Sequence, residues 1–161
     1  MKKRALAFTI KSDRLLSVLT SEVFISSVIS GENRGYLTER YLAIWDTGAT
    51  GSVITKKVAE KLNLLPIDIV QVNTVGGVRT ANVFLIGVIL PNRLLVEPIR
   101  ACEGVIAGAD LSIGMDIITL GDFAVTNKNN KTTFSFRFPS LEEIDFLKNA
   151  SEYDKLENQT I

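Results

Sequence analysis

The stretch Leu42-Ala43-Ile44-Trp45-Asp46-Thr47-Gly48-Ala49-Thr50-Gly51-Ser52-Val53-Ile54 places an aspartate at the end of an apolar run, follows it with a glycine-bearing turn, and then returns to strand-forming residues. An acid at such a position is expensive to bury without hydrogen-bonding partners. Taken alone, Asp46-Thr47-Gly48 reads as a turn whose carboxylate accepts bonds from nearby backbone N–H groups. The context weighs against that reading. Strand-forming apolar residues flank the triplet on both sides, and a second apolar-glycine-acid segment, Ile113-Gly114-Met115-Asp116-Ile117-Ile118, lies downstream.

Outward from this segment the chain reads as short strands separated by turn signals, an all-β pattern. Val23 to Ser30 and Tyr36 to Trp45 flank Gly31-Glu32-Asn33-Arg34-Gly35, which suggests a hairpin whose second strand runs into Asp46. Beyond the turn, Thr55 is placed to cap a short helix over Lys56 to Leu64, with Val58, Leu62 and Leu65 on its buried side. Pro66 ends that helix. Ile67 to Val75 and Val78 to Leu90 then form two arms around Gly76-Gly77, and the polar Gln71, Asn73, Thr74, Arg79 and Asn82 suggest a hairpin that projects from the body. Leu94 to Ala101 and Val105-Ile106 are further strand candidates, followed by a helical turn near Asp116 to Leu120. Phe123 to Thr126 and Thr132 to Phe138 face each other across a polar loop, with Phe134, Phe136 and Phe138 alternating against Ser135 and Arg137. Ser140-Leu141-Glu142-Glu143 has the spacing of a capping box, which predicts a closing helix to about Tyr153 packed through Leu141, Ile144 and Leu147.

Composition narrows the chemistry. The 161 residues are 46% apolar and 22% charged, the balance of one folded domain with one core. Lysine plus arginine equals aspartate plus glutamate at 18 each, so no overall positive field favours nucleic acid. The absence of histidine removes Ser-His-Asp and Cys-His catalysis and histidine-bearing zinc sites. Cys102, the single cysteine, reads as a small apolar residue of the interior. No apolar run approaches the roughly 20 residues of a spanning helix, and Met1-Lys2-Lys3-Arg4 is followed too soon by Lys11, Asp13 and Arg14 for a signal peptide. A cytoplasmic protein without membrane contact is expected. The Asn-x-Ser/Thr triplets at Asn130, Asn149 and Asn158 matter only in a secreted chain. Residues 1–14 carry five basic side chains against Asp13, whereas 140–161 carry six acids against Lys148 and Lys155. Two solvated termini account for this, with steering between subunits as the alternative.

Ile44 to Ala49, the hairpin around Gly76-Gly77, and Ile113 to Ile118 occur in an order that resembles the retropepsin-like aspartic proteases, over residues 20 to 138. The short helix at Lys56 to Leu64 is similar to the cellular and bacterial branch of that family. The resemblance implies an acid-protease β-barrel with a short helix after the catalytic loop, and the reading of Ser140 onward adds a C-terminal helix. It also implies an endopeptidase that needs no metal or cofactor and acts on peptide or protein substrates with apolar side chains around the scissile bond. Two carboxylates must share one proton in such an enzyme. With one Asp-Thr-Gly in the chain, the expected active form is a homodimer in which Asp46 meets its copy. By the same resemblance Thr47 braces the paired loops, Gly48 admits close backbone approach, and Ala49 stands where pepsin-like enzymes often carry serine, which moves the expected working range toward neutral pH. Gly76 and Gly77, with Val75 and Val78 beside them, form the flap over the substrate. Gly114 and Asp116 lie under the active-site loop, where Asp116 is expected to cap a short helix rather than to catalyse. Asp110 and Asp122 read as turn acids.

The chain departs from the family pattern at both ends. Residues 1–20 are expected as an N-terminal extension, 21–139 as the protease domain, and 140–161 as an acidic helical extension. Chain ends often build the dimer interface in this family, so the extensions leave the dimer geometry open. Trp45 is bulkier than the usual residue before the aspartate. The rival reading is a non-catalytic dimeric module of the same fold that binds a protein or peptide.

Overall fold

The computed structural model describes residues 5–28, 39–74, 77–148 and 150. Ten strands run as β1 (Leu6–Lys11), β2 (Thr20–Ser27), β3 (Tyr41–Trp45), β4 (Val53–Thr55), β5 (Asp68–Thr74), β6 (Gly77–Ile89), β7 (Leu95–Gly104), β8 (Leu111–Ile113), β9 (Asp122–Thr126) and β10 (Thr133–Phe138). Two short helices, α1 (Lys56–Lys61) and α2 (Met115–Ile118), follow β4 and β8. Seven strands form one sheet in the order β2-β3-β8-β4-β7-β6-β5, and an added β2–β6 pairing closes it upon itself. That closure removes most unpaired edges. The barrel expected from the resemblance is therefore present.

The remaining three strands form a separate sheet in the order β1-β10-β9. Its antiparallel register pairs Leu6 with Phe138 and Phe136 with Phe123. The alternation read from the sequence orients it: Phe134 and Phe136 are buried, while Thr9 and Ser135 meet through their hydroxyls at 2.8 Å on the opposite, exposed face. Phe8, Phe123, Phe134 and Phe136 all approach Trp45, with ring centroids 5.1–5.9 Å from it. The bulky residue before Asp46 thus fills the layer between the small sheet and the barrel, where tilted and edge-on aromatic contacts are favourable.

Several expectations change in detail. Thr55 does cap α1, its hydroxyl accepting the Val58 N–H at 3.4 Å. The helix stops at Lys61, however, and Asn63 takes a left-handed φ of 49°. Leu65 therefore leaves the helical phase and is 71% exposed instead of packed. Val105-Ile106 is not a strand, since β7 runs on to Gly104 and Val105 points into solvent. The capping box at Ser140 does not form. The Ser140 hydroxyl instead donates to Asp122 at 2.6 Å, and residues 141–145 have no regular structure. Asp145 takes the capping role, accepting N–H bonds from Leu147 and Lys148 at 2.9 and 3.3 Å, so helix begins at 146. Leu141, Ile144 and Leu147, expected on a packed stripe, are all exposed. Residue 150 is also helical, whereas 149 and 151–153 of that expected helix, and the loop of the first hairpin at 29–38, lie outside the described residues.

Candidate active site

The site is built where β3 and β8 run side by side. The two strands pair in parallel, Trp45 beside Ile113, so the residues that follow each strand emerge at the same end. The Asp46 N–H donates to the Ile113 carbonyl at 2.9 Å, extending the ladder one residue into the loop. Its carbonyl accepts from the Ala49 N–H at 3.2 Å and closes the turn. Ahead of it, the Trp45 N–H donates to the Leu19 carbonyl at 2.9 Å, and the indole N–H donates to the buried Ser21 hydroxyl at 3.0 Å. The backbone that carries Asp46 is consequently anchored on both sides.

Asp46 itself is exposed, not buried as the apolar approach of β3 allows for. Oδ1 accepts the Gly48 N–H at 2.9 Å, and among the described residues no hydrogen bond reaches Oδ2. Thr47 and Gly48 are exposed beside it, and Ala49 is half-buried. A Cβ on Gly48 would stand 3.2 Å from Asp46 Oδ1, so glycine keeps the N–H of that residue close to the carboxylate.

Asp116, three residues beyond β8 in the first turn of α2, is used differently. Oδ1 accepts the Ser52 hydroxyl at 2.8 Å and the Ile117 N–H at 3.0 Å, and Oδ2 accepts the Ser52 N–H at 2.9 Å. Asp116 is not the cap expected of it: the N-cap of α2 is Gly114, which has no side chain to cap with, and Asp116 sits within the first turn with its carboxylate turned onto the loop that follows Asp46. Gly114 packs against that loop so tightly that a Cβ there would lie 2.6 Å from the Gly51 carbonyl. Its N–H donates to the Ser52 hydroxyl at 3.2 Å, and the Met115 N–H donates to the Ala49 carbonyl at 2.8 Å. Gly114 and Asp116 therefore sit against the Asp46 loop and brace it. Ser52 is the residue missed by sequence reasoning: it is 1% exposed, and its hydroxyl links Gly114 to Asp116. Its only signal was a small polar residue between Gly51 and the apolar Val53.

Of the residues expected in a flap, Gly77 and Val78 fall on the β5–β6 hairpin, where Thr74 pairs with Gly77 and Asn73 with Val78. Gly77 has φ of 102°, a conformation open to glycine at little cost. Val78 is 63% exposed on one arm and Ile69 64% on the other. Val75 and Gly76 lie outside the described residues.

The other expected acids are structural. Asp110 Oδ2 accepts the Leu42 N–H at 3.0 Å. Asp122 collects the Ser140 hydroxyl, the Leu141 N–H and the Arg137 guanidinium, and these bonds hold its carboxyl well below the usual carboxylate range. Cys102 is half-buried, and burial pushes its thiol up, away from the reactive thiolate. Among the described residues no group of three His, Cys, Asp or Glu side chains is arranged to hold a metal ion, and no helix is long and apolar enough to cross a membrane.

Comparison with known proteins bears on this arrangement. Residues 29–89 match a family described as aspartyl protease, a span that contains Asp46-Thr47-Gly48 and the β5–β6 hairpin. No curated protein matches the chain by sequence. Among solved structures, a retropepsin-like aspartic protease from Rickettsia conorii superposes with a TM-score of 0.51 at 14% identity, covering 86% of this chain and 98% of that one. The retroviral protease-like domain of Ddi1 from Leishmania major gives 0.46 at 19% identity, with 81% and 99% covered. The protease of simian foamy virus (mac) gives 0.44 at 18%, with 62% and 91% covered. The chain thus carries a retropepsin-like all-β fold, and its resemblance to retropepsin-like aspartic proteases extends from the Asp-Thr-Gly segment to the architecture.

Proposed function

We propose that the protein is an aspartic endopeptidase whose active form is a homodimer, with Asp46 of each copy contributing one carboxylate of a shared pair. The observation that carries this reading is the contrast just beyond two adjacent strands: Asp116 is consumed by Ser52, whereas Asp46 is exposed with Oδ2 free of protein partners among the described residues. An exposed carboxylate on an anchored backbone is suited to hold and polarise a water. One Asp46 of the pair, ionised, takes a proton from that water as its oxygen attacks the scissile carbonyl carbon. The other, protonated, gives its proton to the carbonyl oxygen. Collapse of the tetrahedral intermediate breaks the C–N bond, and a proton passes to the departing nitrogen, leaving a carboxyl and an amine. Neither histidine nor a metal enters this scheme.

In the same reading Thr47 braces the loop of the partner copy, and Gly48 and Ala49 shape the floor under the carboxylates. The β5–β6 hairpin, with Val75, Gly76, Gly77 and Val78 at its tip, closes over an extended peptide, whose apolar side chains find Val78 and Ile69 exposed on the arms. Residues 21–139 make up the protease domain, and 1–20 and 140–161 are additions to it, the first supplying β1. Two grooves of about 480 and 390 Å³ lie elsewhere, one beside α1 lined by Leu64, Pro66 and Phe84, the other by Ile10, Phe24 and Pro91. Neither is lined by Asp46.

Digestion of a diverse peptide mixture from pH 4 to pH 7, read by mass spectrometry beside the Asp46→Asn protein, tests the proposal. Cuts absent from the variant support it. A folded dimer that makes no cut at any pH overturns it in favour of a binding module.

A further inference from the structure

Trp45, the last residue of β3, is held through its side chain as well as its backbone. It shares the buried side of the strand with Tyr41 and Ala43. The β2–β3 register sets Ser21 opposite Ala43, and so diagonal to Trp45, a separation that an aromatic side chain spans. The indole N–H donates to the Ser21 hydroxyl at 3.0 Å, with Ser21 4% and Trp45 6% exposed. Water has little access to either group. Any other orientation of the indole would leave a buried donor unpaired, so the bond selects one placement of the ring.

The ring placed in this way is also where the second sheet bears on the barrel. Phe8 of β1, Phe123 of β9, and Phe134 and Phe136 of β10 all reach it, so each strand of the small sheet presses on one side chain. The next residue is Asp46. On the far side of that residue the loop is braced by Ser52, Gly114 and Asp116. On the near side the side-chain brace is the bond between Trp45 and Ser21, and a tilt of the indole passes along the backbone to the carboxylate.

We propose that Trp45 and Ser21 are positioning residues for the reaction: their side-chain bond sets where the Asp46 carboxylate stands. The proposal rests on the reading of Asp46 as half of a two-copy site. In such a site a displacement of Asp46 is repeated by symmetry in the second copy, so the separation of the carboxylates changes by up to twice the displacement of either. Two close carboxylates that share a proton lose it over a wide pH window, because the first ionisation opposes the second. As they move apart the window narrows, and the geometry for attack by water is lost as well. A bond remote from the chemistry therefore acts on both the rate and the width of the pH profile.

The experiment measures peptide cleavage by the full chain across pH for Trp45→Phe, which keeps a ring and removes the N–H, for Ser21→Ala, which removes the acceptor, and for the two together. Each single variant should lower kcat by at least about tenfold, with KM within about twofold of wild type, and should narrow the pH–rate profile from both sides. The double variant should be no slower than the slower single one, because both break the same bond. Ile86→Val serves as the control for lost stability alone. Ile86 is fully buried on β6 and pairs with Ser27, six residues along β2 from Ser21, so this variant should lower the thermal midpoint and keep the profile. Should Trp45→Phe fail to fold, Ser21→Ala carries the test, since it removes a single hydroxyl. Folded variants that lose stability but keep the wild-type kcat and profile width, or whose effects on kcat add in the double variant, overturn the positioning role and leave the protease reading standing. A wild-type chain that cuts no peptide overturns that reading and this one with it.

Discussion

Asp46 directly follows β3, and Asp116 stands three residues beyond the neighbouring parallel strand β8, in the first turn of α2; each belongs to an apolar segment with a glycine, yet their carboxylates are put to opposite uses. Asp116 accepts three hydrogen bonds, two of them from Ser52. Among the described residues the Asp46 carboxylate accepts one, from its own turn. The comparison teaches that the sequence context of an acid says less about its role than the donors that surround it. A carboxylate saturated by the protein braces the chain, and one left partly unsatisfied on an anchored backbone is available to water and substrate.

Asparagine at each of the two positions gives the sharpest test of that contrast. Asp46→Asn should lower peptide cleavage by about a thousandfold or more, with the thermal midpoint essentially unchanged because only the Gly48 bond is disturbed. Asp116→Asn should act in the reverse sense. It turns an amide donor toward the Ser52 N–H and hydroxyl, and loss of those bonds costs about 1–3 kcal/mol of stability, measurable by urea unfolding, while some cleavage remains. If both variants keep their stability and lose activity alike, the division of roles fails.

Trp45→Phe probes the anchoring beneath Asp46. The ring packing is largely kept, but the indole N–H to Ser21 is lost, so a destabilisation of about 1 kcal/mol is expected. Because Trp45 is the single tryptophan in the chain, its fluorescence in the parent protein reports directly on this layer. A blue-shifted emission that moves red only on unfolding is the expected signature of its 6% exposure.

A third aspartate extends the comparison, with the smallest effect. Asp122 is held ionised by Ser140, Leu141 and Arg137, so its folded carboxyl lies below the unfolded value of about 3.9. As pH falls, the unfolded chain takes up the proton first, and the folded state loses that advantage. The stability gap between wild type and Asp122→Asn should therefore be full at neutral pH and shrink as pH drops through 4 toward 2, as thermal midpoints across that range will show.

Much of this arrangement was legible in the residues. The alternation of Phe134 and Phe136 against Ser135, the Thr55 cap, and the two apolar-glycine-acid segments all act over a few positions, where side-chain period and backbone preference speak directly. The failures share a cause. Ser140 had the right spacing for a capping box, but Asp122, far away in sequence, competes for its hydroxyl and for the Leu141 N–H, and the helix start moves to Asp145. Leu65 had the right period, but the helix it was counted on had already ended at Lys61. Ser52 and Trp45 were unreadable in role because each depends on a residue from another strand or loop.

The sequence by itself determined the class of fold, the single Asp-Thr-Gly and the exclusion of histidine chemistry, because composition and short-range pattern need no knowledge of what lies opposite. Only the tertiary structure decided which acid is free, what the tryptophan touches, and that β1 pairs with β10 and leaves β9 at the edge. These depend on hydrogen bonds and ring contacts between residues tens of positions apart, as when Asp116 rather than solvent satisfies Ser52. Such long-range competition for donors and for apolar surface is settled only when the whole chain has closed around its core.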